Sequence, residues 1–173
     1  YFDFEEFKHC VQESVRALNE VLEEGLPLHP LPEQRESVSQ WRQIGLGIMG
    51  LADALIKLGL TYGEEDAVSV CDRIGFVMAD TAIAASARLA KELGAFPKCK
   101  VEEIMETPYF LANTTEGTKE LVRKYGLRNS QLLTIAPTGT LSTMLGISGG
   151  IEPIYANYYE RKTESLHGED VYY

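Results

Sequence analysis

The stretch between Gly63 and Gly94 limits the possible folds more than any other part of this sequence. Ala67, Val70, Ile74, Met78, Ala82, Ala85, Leu89 and Leu93 recur across it at helical spacing, which makes one face of a single long helix apolar from end to end. Its second half is rich in alanine, and small side chains let a neighbouring helix or sheet come close. Gly94 and Pro97 end it. Upstream, Asp3 as N-cap with Glu6 three residues on reads as a capping box. Phe4, Phe7, Val11, Val15, Leu18 and Leu22 then repeat at helical spacing. Gly25 and Pro27 stop that helix, and residues 26–36, with three prolines, read as a connector running partly extended. From Ser37 the pattern predicts a further helix, with Ile44, Ile48, Leu51, Leu55 and Leu58 on one face and Gly59 closing it. Short helices are expected over 101–106 and over 116–124, the second capped by Gly126.

Beyond Gly126 the pattern changes. Leu132, Leu133, Thr134, Ile135 and Ala136 form a short apolar run of the kind a buried strand carries, and Pro137-Thr138-Gly139-Thr140 breaks it. Glycines at 146, 149 and 150 follow, and residues 154–162, with three tyrosines in partial alternation, predict another strand. The fold class that follows is α/β and helix-rich, with 1–126 mainly helical and 127–173 running strand, loop, strand within one domain. A chain of 173 residues can bury a full core without disulfides or metal. It opens at Tyr1 without an initiator Met and stops at Val171-Tyr172-Tyr173 inside a strand pattern, so the expectation is a piece of a longer polypeptide.

Charge and cysteine usage narrow the function classes. A formal charge of −10 argues against a general nucleic-acid binder. No apolar run approaches the ~20 residues of a membrane helix, and no signal peptide opens the chain, so a soluble, cytoplasmic protein without a membrane partner is expected. Cys10, Cys71 and Cys99 are odd in number and contain no CxxC pair, which points to a reducing compartment and away from a zinc cluster. Cys71 falls on the apolar stripe of the long helix and reads as a buried, inert thiol. His9, His29 and His167 have no metal-ligand spacing, and no carboxylate pair stands out as an acid and base.

Two motifs invite a ligand. Gly45-Leu46-Gly47-Ile48-Met49-Gly50 fits GxGxxG, the glycine turn of dinucleotide-binding dehydrogenases. That fingerprint needs a hydrophobic strand before the turn and a second strand beyond the helix. Gln40-Trp41-Arg42-Gln43 is too polar for the first, and Thr61-Tyr62-Gly63-Glu64-Glu65-Asp66 leads into another helix. Glycines that let a helix start approach its neighbour are the favoured reading. The second motif, Pro137-Thr138-Gly139-Thr140-Leu141-Ser142, would present backbone N–H groups and hydroxyls at the end of a strand, where a phosphate could bind. A hydroxyl-rich turn and N-cap explains the same residues equally well. No lysine is present to make it a Walker A loop.

Residues 127–140, from Leu127-Arg128-Asn129-Ser130 to Pro137-Thr138-Gly139-Thr140, together with Ser148-Gly149-Gly150-Ile151-Glu152-Pro153-Ile154, resemble the large catalytic subunit of ribonucleotide reductase. Arg42-Gln43-Ile44-Gly45-Leu46-Gly47-Ile48-Met49-Gly50-Leu51-Ala52-Asp53 resembles that family's buried glycine-rich helix, in the same order. Phe2-Asp3-Phe4 and Tyr159-Glu160-Arg161-Lys162 extend the likeness over nearly the whole chain.

The resemblance implies part of a ten-stranded α/β barrel that makes deoxyribonucleotides for DNA synthesis. In that barrel a thiyl radical on a finger-loop cysteine abstracts the ribose 3′ hydrogen, and a cysteine pair supplies reducing equivalents. It also implies that Pro137, Thr138, Gly139, Thr140 and Leu141, with Ser142 beside them, hold the substrate's di- or triphosphate. Gly139 with Leu141-Ser142-Thr143 is most similar to the adenosylcobalamin-dependent branch, the alternative radical source being a di-iron subunit. Expected partners are the ribonucleotide, the remainder of the catalytic subunit and a thioredoxin-type reductant.

The radical-bearing Asn-x-Cys-x-Glu loop is absent from the 173 residues, so no catalytic residue and no bound cofactor are expected here, and the isolated chain should be inactive, with apolar surface exposed where further strands belong. The competing readings are a dehydrogenase domain built on Gly45, Gly47 and Gly50, and a helical packing module without a ligand.

Overall fold

The computed structural model describes residues 1–154 and 156–158, and the backbone alone of 162–164 and 170–172. Helix α1 spans Phe4–Gly25, and the Asp3 carboxylate accepts from the backbone N–H groups of Glu5 and Glu6 at 3.1 and 3.0 Å, satisfying two donors of its first turn. Glu6 does not complete the box, because its carboxylate faces Cys10 one turn on. Val11 and Val15 are buried, and Phe7, Leu18 and Leu22 pack around them as their spacing predicts.

After a short 3-10 turn at Leu26–Leu28, helix α2 runs Pro32–Trp41. The extended connector is therefore shorter than expected, since Pro32 sits in the first helical turn, where its missing N–H costs nothing.

The predicted helix from Ser37 to Gly59 is interrupted. Arg42 ends α2 in the left-handed conformation (φ 49°), and the chain then runs extended before α3, Leu51–Leu58. Ile44 and Leu46 donate to the carbonyls of Gln131 and Leu132 at 3.0 and 2.8 Å, and Thr134 donates back to Leu46 at 2.9 Å, with a parallel bridge between Leu46 and Leu133. The cause is steric. A Cβ on Gly47 would lie 2.7 Å from the Thr134 carbonyl oxygen, and one on Gly45 would lie 3.0 Å from Thr134 Cγ2. Glycine is also a poor helix former, so close approach of two extended segments wins over helix continuation. Gly50 (φ 78°) then turns the chain into α3.

Helix α4, Glu65–Leu93, packs against α1 and against α7, Glu116–Tyr125. Its alanine-rich half is buried on nearly every side from Met78 to Ala90, which is why small residues are needed there. Leu93, the last residue of the predicted stripe, is exposed at the helix end. A second cluster joins Leu51 and Leu55 of α3 to Ala67 and Ile74 of α4.

Between α4 and α7 lie α5, Val101–Met105, and α6, Pro108–Ala112. The latter is unforeseen by periodicity, but it carries a Thr107 N-cap bonded to the Phe110 N–H and Pro108 at its start.

Beyond α7 the structure departs from the expected buried strand. Leu132 is buried, yet Ile135 is 68% exposed, because residues 131–134 pair with 44–46 on one side only. Helix α8, Gly139–Leu145, follows. Strands β1, Lys162–Glu164, and β2, Asp170–Tyr172, pair antiparallel with Thr163 opposite Val171. Of the strand predicted over 154–162, residues 154 and 156–158 are not in a strand, residues 155 and 159–161 lie outside the described residues, and Lys162 opens β1. Among the described residues the molecule is thus helix-rich, and its sheet is limited to this pair and the Leu46–Leu133 bridge. No helix among them is long and apolar enough to cross a membrane.

Candidate functional site

The site rests on a buried polar node. Asn129 has no exposed surface, and its side chain is saturated. Its Oδ1 accepts from Asn19 Nδ2 (3.1 Å) and Ser86 Oγ (3.0 Å), while its Nδ2 donates to Asn19 Oδ1 and the Arg42 carbonyl, both at 2.9 Å. One residue therefore fastens α1, α4 and the end of α2 to the segment that becomes the candidate loop.

Beside it, Glu23 Oε1 pairs with both Arg42 and Arg128, the latter at 2.8 Å. Arg128 also donates to the carbonyls of Leu93 and Gly94, closing the C-terminus of α4. Partial burial works to raise the Glu23 carboxyl, but the two guanidinium groups outweigh it and hold it below its ordinary value.

From this anchor the chain runs extended to Pro137 and turns at Thr138, which adopts the left-handed conformation (φ 51°, ψ 21°) as N-cap of α8. Thr138 Oγ1 accepts the Gly150 N–H at 2.8 Å, so the hydroxyl faces the following glycine turn. The Thr138 carbonyl accepts from the Ser142 N–H at 2.8 Å. A Cβ at Gly149 or Gly150 would lie 3.2 or 3.1 Å from the carbonyl oxygens of Pro137 and Ala136 respectively, tighter than ordinary contact, and Gly150 also takes a left-handed φ of 46° that favours glycine.

Of the six residues singled out by sequence, Pro137, Thr140 and Leu141 are exposed and Thr138 and Gly139 are half-buried along one turn. Ser142 differs. It is buried, and its hydroxyl points back to the Gly139 carbonyl at 3.4 Å within the helix.

The glycine turn is tied in its own right to the Gly50–Asp53 region. Gly50 N–H donates to the Ser148 carbonyl (2.9 Å), Asp53 Oδ2 accepts the Ser148 N–H (2.7 Å), and Tyr62 Oη donates to the Ile151 carbonyl (2.6 Å). The Ser148 backbone N–H holds the Asp53 carboxyl below its ordinary value. Sequence reasoning missed Asp53 as part of this site, although an acidic residue in the first turn of a helix after Gly50 was a legible signal.

This arrangement also decides the GxGxxG motif. An extended segment does precede it, contrary to expectation, but the start of α3 is already covered. The Ser148 carbonyl accepts the Gly50 N–H, Ile147 packs on Gly50 at 3.3 Å from a would-be Cβ, and Asp53 places a carboxylate, bonded by the Ser148 N–H, in the first turn where a pyrophosphate would need N–H donors. The predicted lack of a second strand after α3 holds, since Glu65 opens α4 directly after the Tyr62 turn.

Elsewhere, Cys71 is half-buried, not buried as its place on the stripe predicted. It lines an apolar groove of about 650 Å³ with Ile74, Gly75 and Met78, left open by the missing side chain at Gly75. Among the described residues no three His, Cys, Asp or Glu side chains converge as a metal site.

Comparison with known proteins places this geometry in a family. The ribonucleotide reductase barrel domain matches residues 1–172. The chain is 32% identical over 96% of its length to the ribonucleoside-diphosphate reductase subunit alpha of Chlamydia pneumoniae, covering 18% of that protein. It is 33% identical over 95% of its length to the vitamin B12-dependent ribonucleoside-diphosphate reductase of Mycobacterium tuberculosis, covering 21% of it. The ribonucleoside-diphosphate reductase large chain of Encephalitozoon cuniculi is likewise 33% identical over 95% of the chain, with 22% of its own length covered. The chain thus spans about a fifth of the length of these curated relatives.

Proposed function

Since this chain belongs to the ribonucleotide reductase barrel-domain family, we propose that it forms the part of a catalytic subunit that holds a ribonucleotide by its phosphates while the ribose is reduced. The observation that carries the reading is the turn at Thr138. An extended run ends there in a left-handed residue, a helix begins, and residues 137–142 contain hydroxyls and glycine but no carboxylate. A phosphate needs N–H and O–H donors without a competing anion, and such a turn can offer both. Pro137, Thr138, Gly139, Thr140 and Leu141 form the binding turn. Ser142 closes it from inside the helix.

The parent reaction converts ribonucleotides to deoxyribonucleotides by thiyl-radical chemistry on residues outside this chain, with a thioredoxin-type dithiol as reductant. The chain's own residues bind and orient. The ten-stranded barrel is part of the same proposal, with residues 44–46 and 131–134 as two of its neighbouring parallel strands, the remainder of the subunit supplying the others, and the whole chain lying within that one domain in the cytoplasm.

Adenosylcobalamin is the proposed radical source, from the loop's Gly139 and Leu141-Ser142-Thr143, with a di-iron subunit as the alternative. Some relatives are named vitamin B12-dependent reductases and others carry no cofactor in their names, at similar identity to the chain. The described residues do not fit either group: no donor set converges, and the groove near Ile135 is lined mainly by aliphatic side chains.

The test is conversion of cytidine diphosphate and triphosphate by the full-length gene product with a dithiol reductant, with and without adenosylcobalamin or a di-iron partner. Deoxycytidine product in either arm is expected. Absence of product in every arm, with NAD bound instead, would overturn the reading.

A further inference from the structure

The candidate loop is not held by its own neighbours alone. Its Thr138 hydroxyl accepts from Gly150, Gly150 lies in the Gly149–Glu152 turn that directly follows Ser148, and Ser148 hangs on Asp53 of α3, 95 positions away in sequence, at 2.7 Å. We infer that Asp53 is a positioning residue for the 137–142 loop: by holding the Ser148 N–H from the start of α3, it fixes the 148–150 turn against which Thr138 sets its left-handed conformation.

The inference rests on reading that loop as the phosphate site. Three features carry it. The contact is charge-assisted and short, and it joins the rigid start of a helix to a segment whose next two residues, Gly149 and Gly150, have no side chains to hold them. Leu51 and Leu55 are buried beside it, so α3 cannot drift to follow the turn. And the turn has further tethers to the same region, Gly50 N–H to the Ser148 carbonyl and Tyr62 Oη to the Ile151 carbonyl.

Asp53 lies behind the turn and donates nothing to a phosphate. Its loss therefore acts through Thr138, weakening ground-state and transition-state binding alike. That is the signature of a raised KM with unchanged kcat.

The experiment uses the full-length gene product and its Asp53→Ala, Asp53→Asn and Tyr62→Phe variants. Steady-state kinetics with cytidine diphosphate and triphosphate are combined with amide hydrogen exchange with and without each nucleotide. In the wild type, nucleotide should slow exchange across 137–142. If it does not, the phosphate reading itself fails.

Given that protection, Asp53→Ala should raise KM about tenfold with kcat within about twofold, because a hydrogen bond to a charged group is lost without touching the reacting centre. Asp53→Asn keeps an acceptor for Ser148 and should restore most of the KM. Tyr62→Phe, which removes one further tether, should raise KM about threefold. Wild-type KM in Asp53→Ala, with the loop protected as before, would overturn the inference and leave the phosphate site standing. So would a loss of kcat accompanied by fast exchange throughout α4, which would make Asp53 a general stability residue.

Discussion

Around Asn129 the chain is held by buried side chains, whereas around Thr138 it is held by main-chain N–H groups bonded to nearby oxygens at or near the surface. In the first region Val15, Val122 and Asn129 are fully buried and every polar atom of the Asn129 side chain is paired. In the second, Ile135, Leu141, Met144 and Leu145 face outward, and order comes from Gly150 on Thr138, Ser148 on Asp53 and the Gly146 cap of α8. If 137–142 is the binding loop, as proposed, the difference separates stability from recognition. A binding loop must keep its polar groups near the surface, so it borrows rigidity from a core that does not take part in binding.

Breaking the first region should cost most. Asn129→Ala leaves Asn19, Ser86 and the Arg42 carbonyl short of partners in the interior, and urea unfolding should show about 3 kcal/mol lost. A loss below about 1 kcal/mol would mean that water takes over the node.

The join between the regions is next. Gly47→Ala drives a Cβ into the Thr134 carbonyl and should cost about 2 kcal/mol through overpacking, with faster amide exchange at Leu46 and Thr134. Unchanged exchange there would contradict the close-approach account of the glycine motif.

The pH dependence of stability sharpens the contrast further. Glu23 and Asp53 are both held below their ordinary values in the folded state, so the stability they contribute is fully present above the unfolded carboxylate range. It is lost as pH falls through the lower, folded values. Glu23→Gln should flatten that acid limb while removing only about 1 kcal/mol at neutral pH, because the carboxylate is 47% exposed and solvent screens the pairs. An acid limb identical to wild type would remove Glu23 as its cause.

The smallest effects belong to the loop. Thr138→Gly relieves the left-handed backbone, about 1 kcal/mol, while losing the acceptor for Gly150, so its stability should change by less than about 0.5 kcal/mol. Thr138→Ala keeps the strain and loses the bond, and should fall about 1 kcal/mol below it. Equal stabilities for the two variants would show that the φ of 51° carries no strain.

The same division explains what the sequence made legible. Helices α1 and α4 were readable because an apolar stripe runs along each, and α1 and α7 because a named residue, Asp3 or Gly126, caps them. The alanine-rich half of α4 announced a close neighbour; the structure gives α4 two, α1 and α7. The 42–50 segment was misread because Ile44, Ile48 and Leu51 satisfy a helical spacing by accident. What decides its conformation is the absence of Cβ atoms against Thr134, a contact made across more than 80 residues. Helix α6 had a local signature in Thr107-Pro108 but was too short for periodicity to reveal. The six residues of the loop were legible as a motif. Of their supports only Asp53 left a local trace, as an acidic residue in the first turn of a helix; Tyr62 and Ser148 left none, because hydrogen bonds to backbone N–H and C=O groups leave little trace in residue type.

The account's central claim is that the phosphate site lies at 137–142 and that the glycine motif at 45–50 is packing. Amide hydrogen exchange of the full-length gene product, with cytidine diphosphate or triphosphate and, in a separate arm, with NAD, tests both halves at once. The account predicts nucleotide-dependent protection across 137–142 and no change across 45–50 with NAD. Protection of 45–50 by NAD, with 137–142 indifferent to either nucleotide, would contradict it.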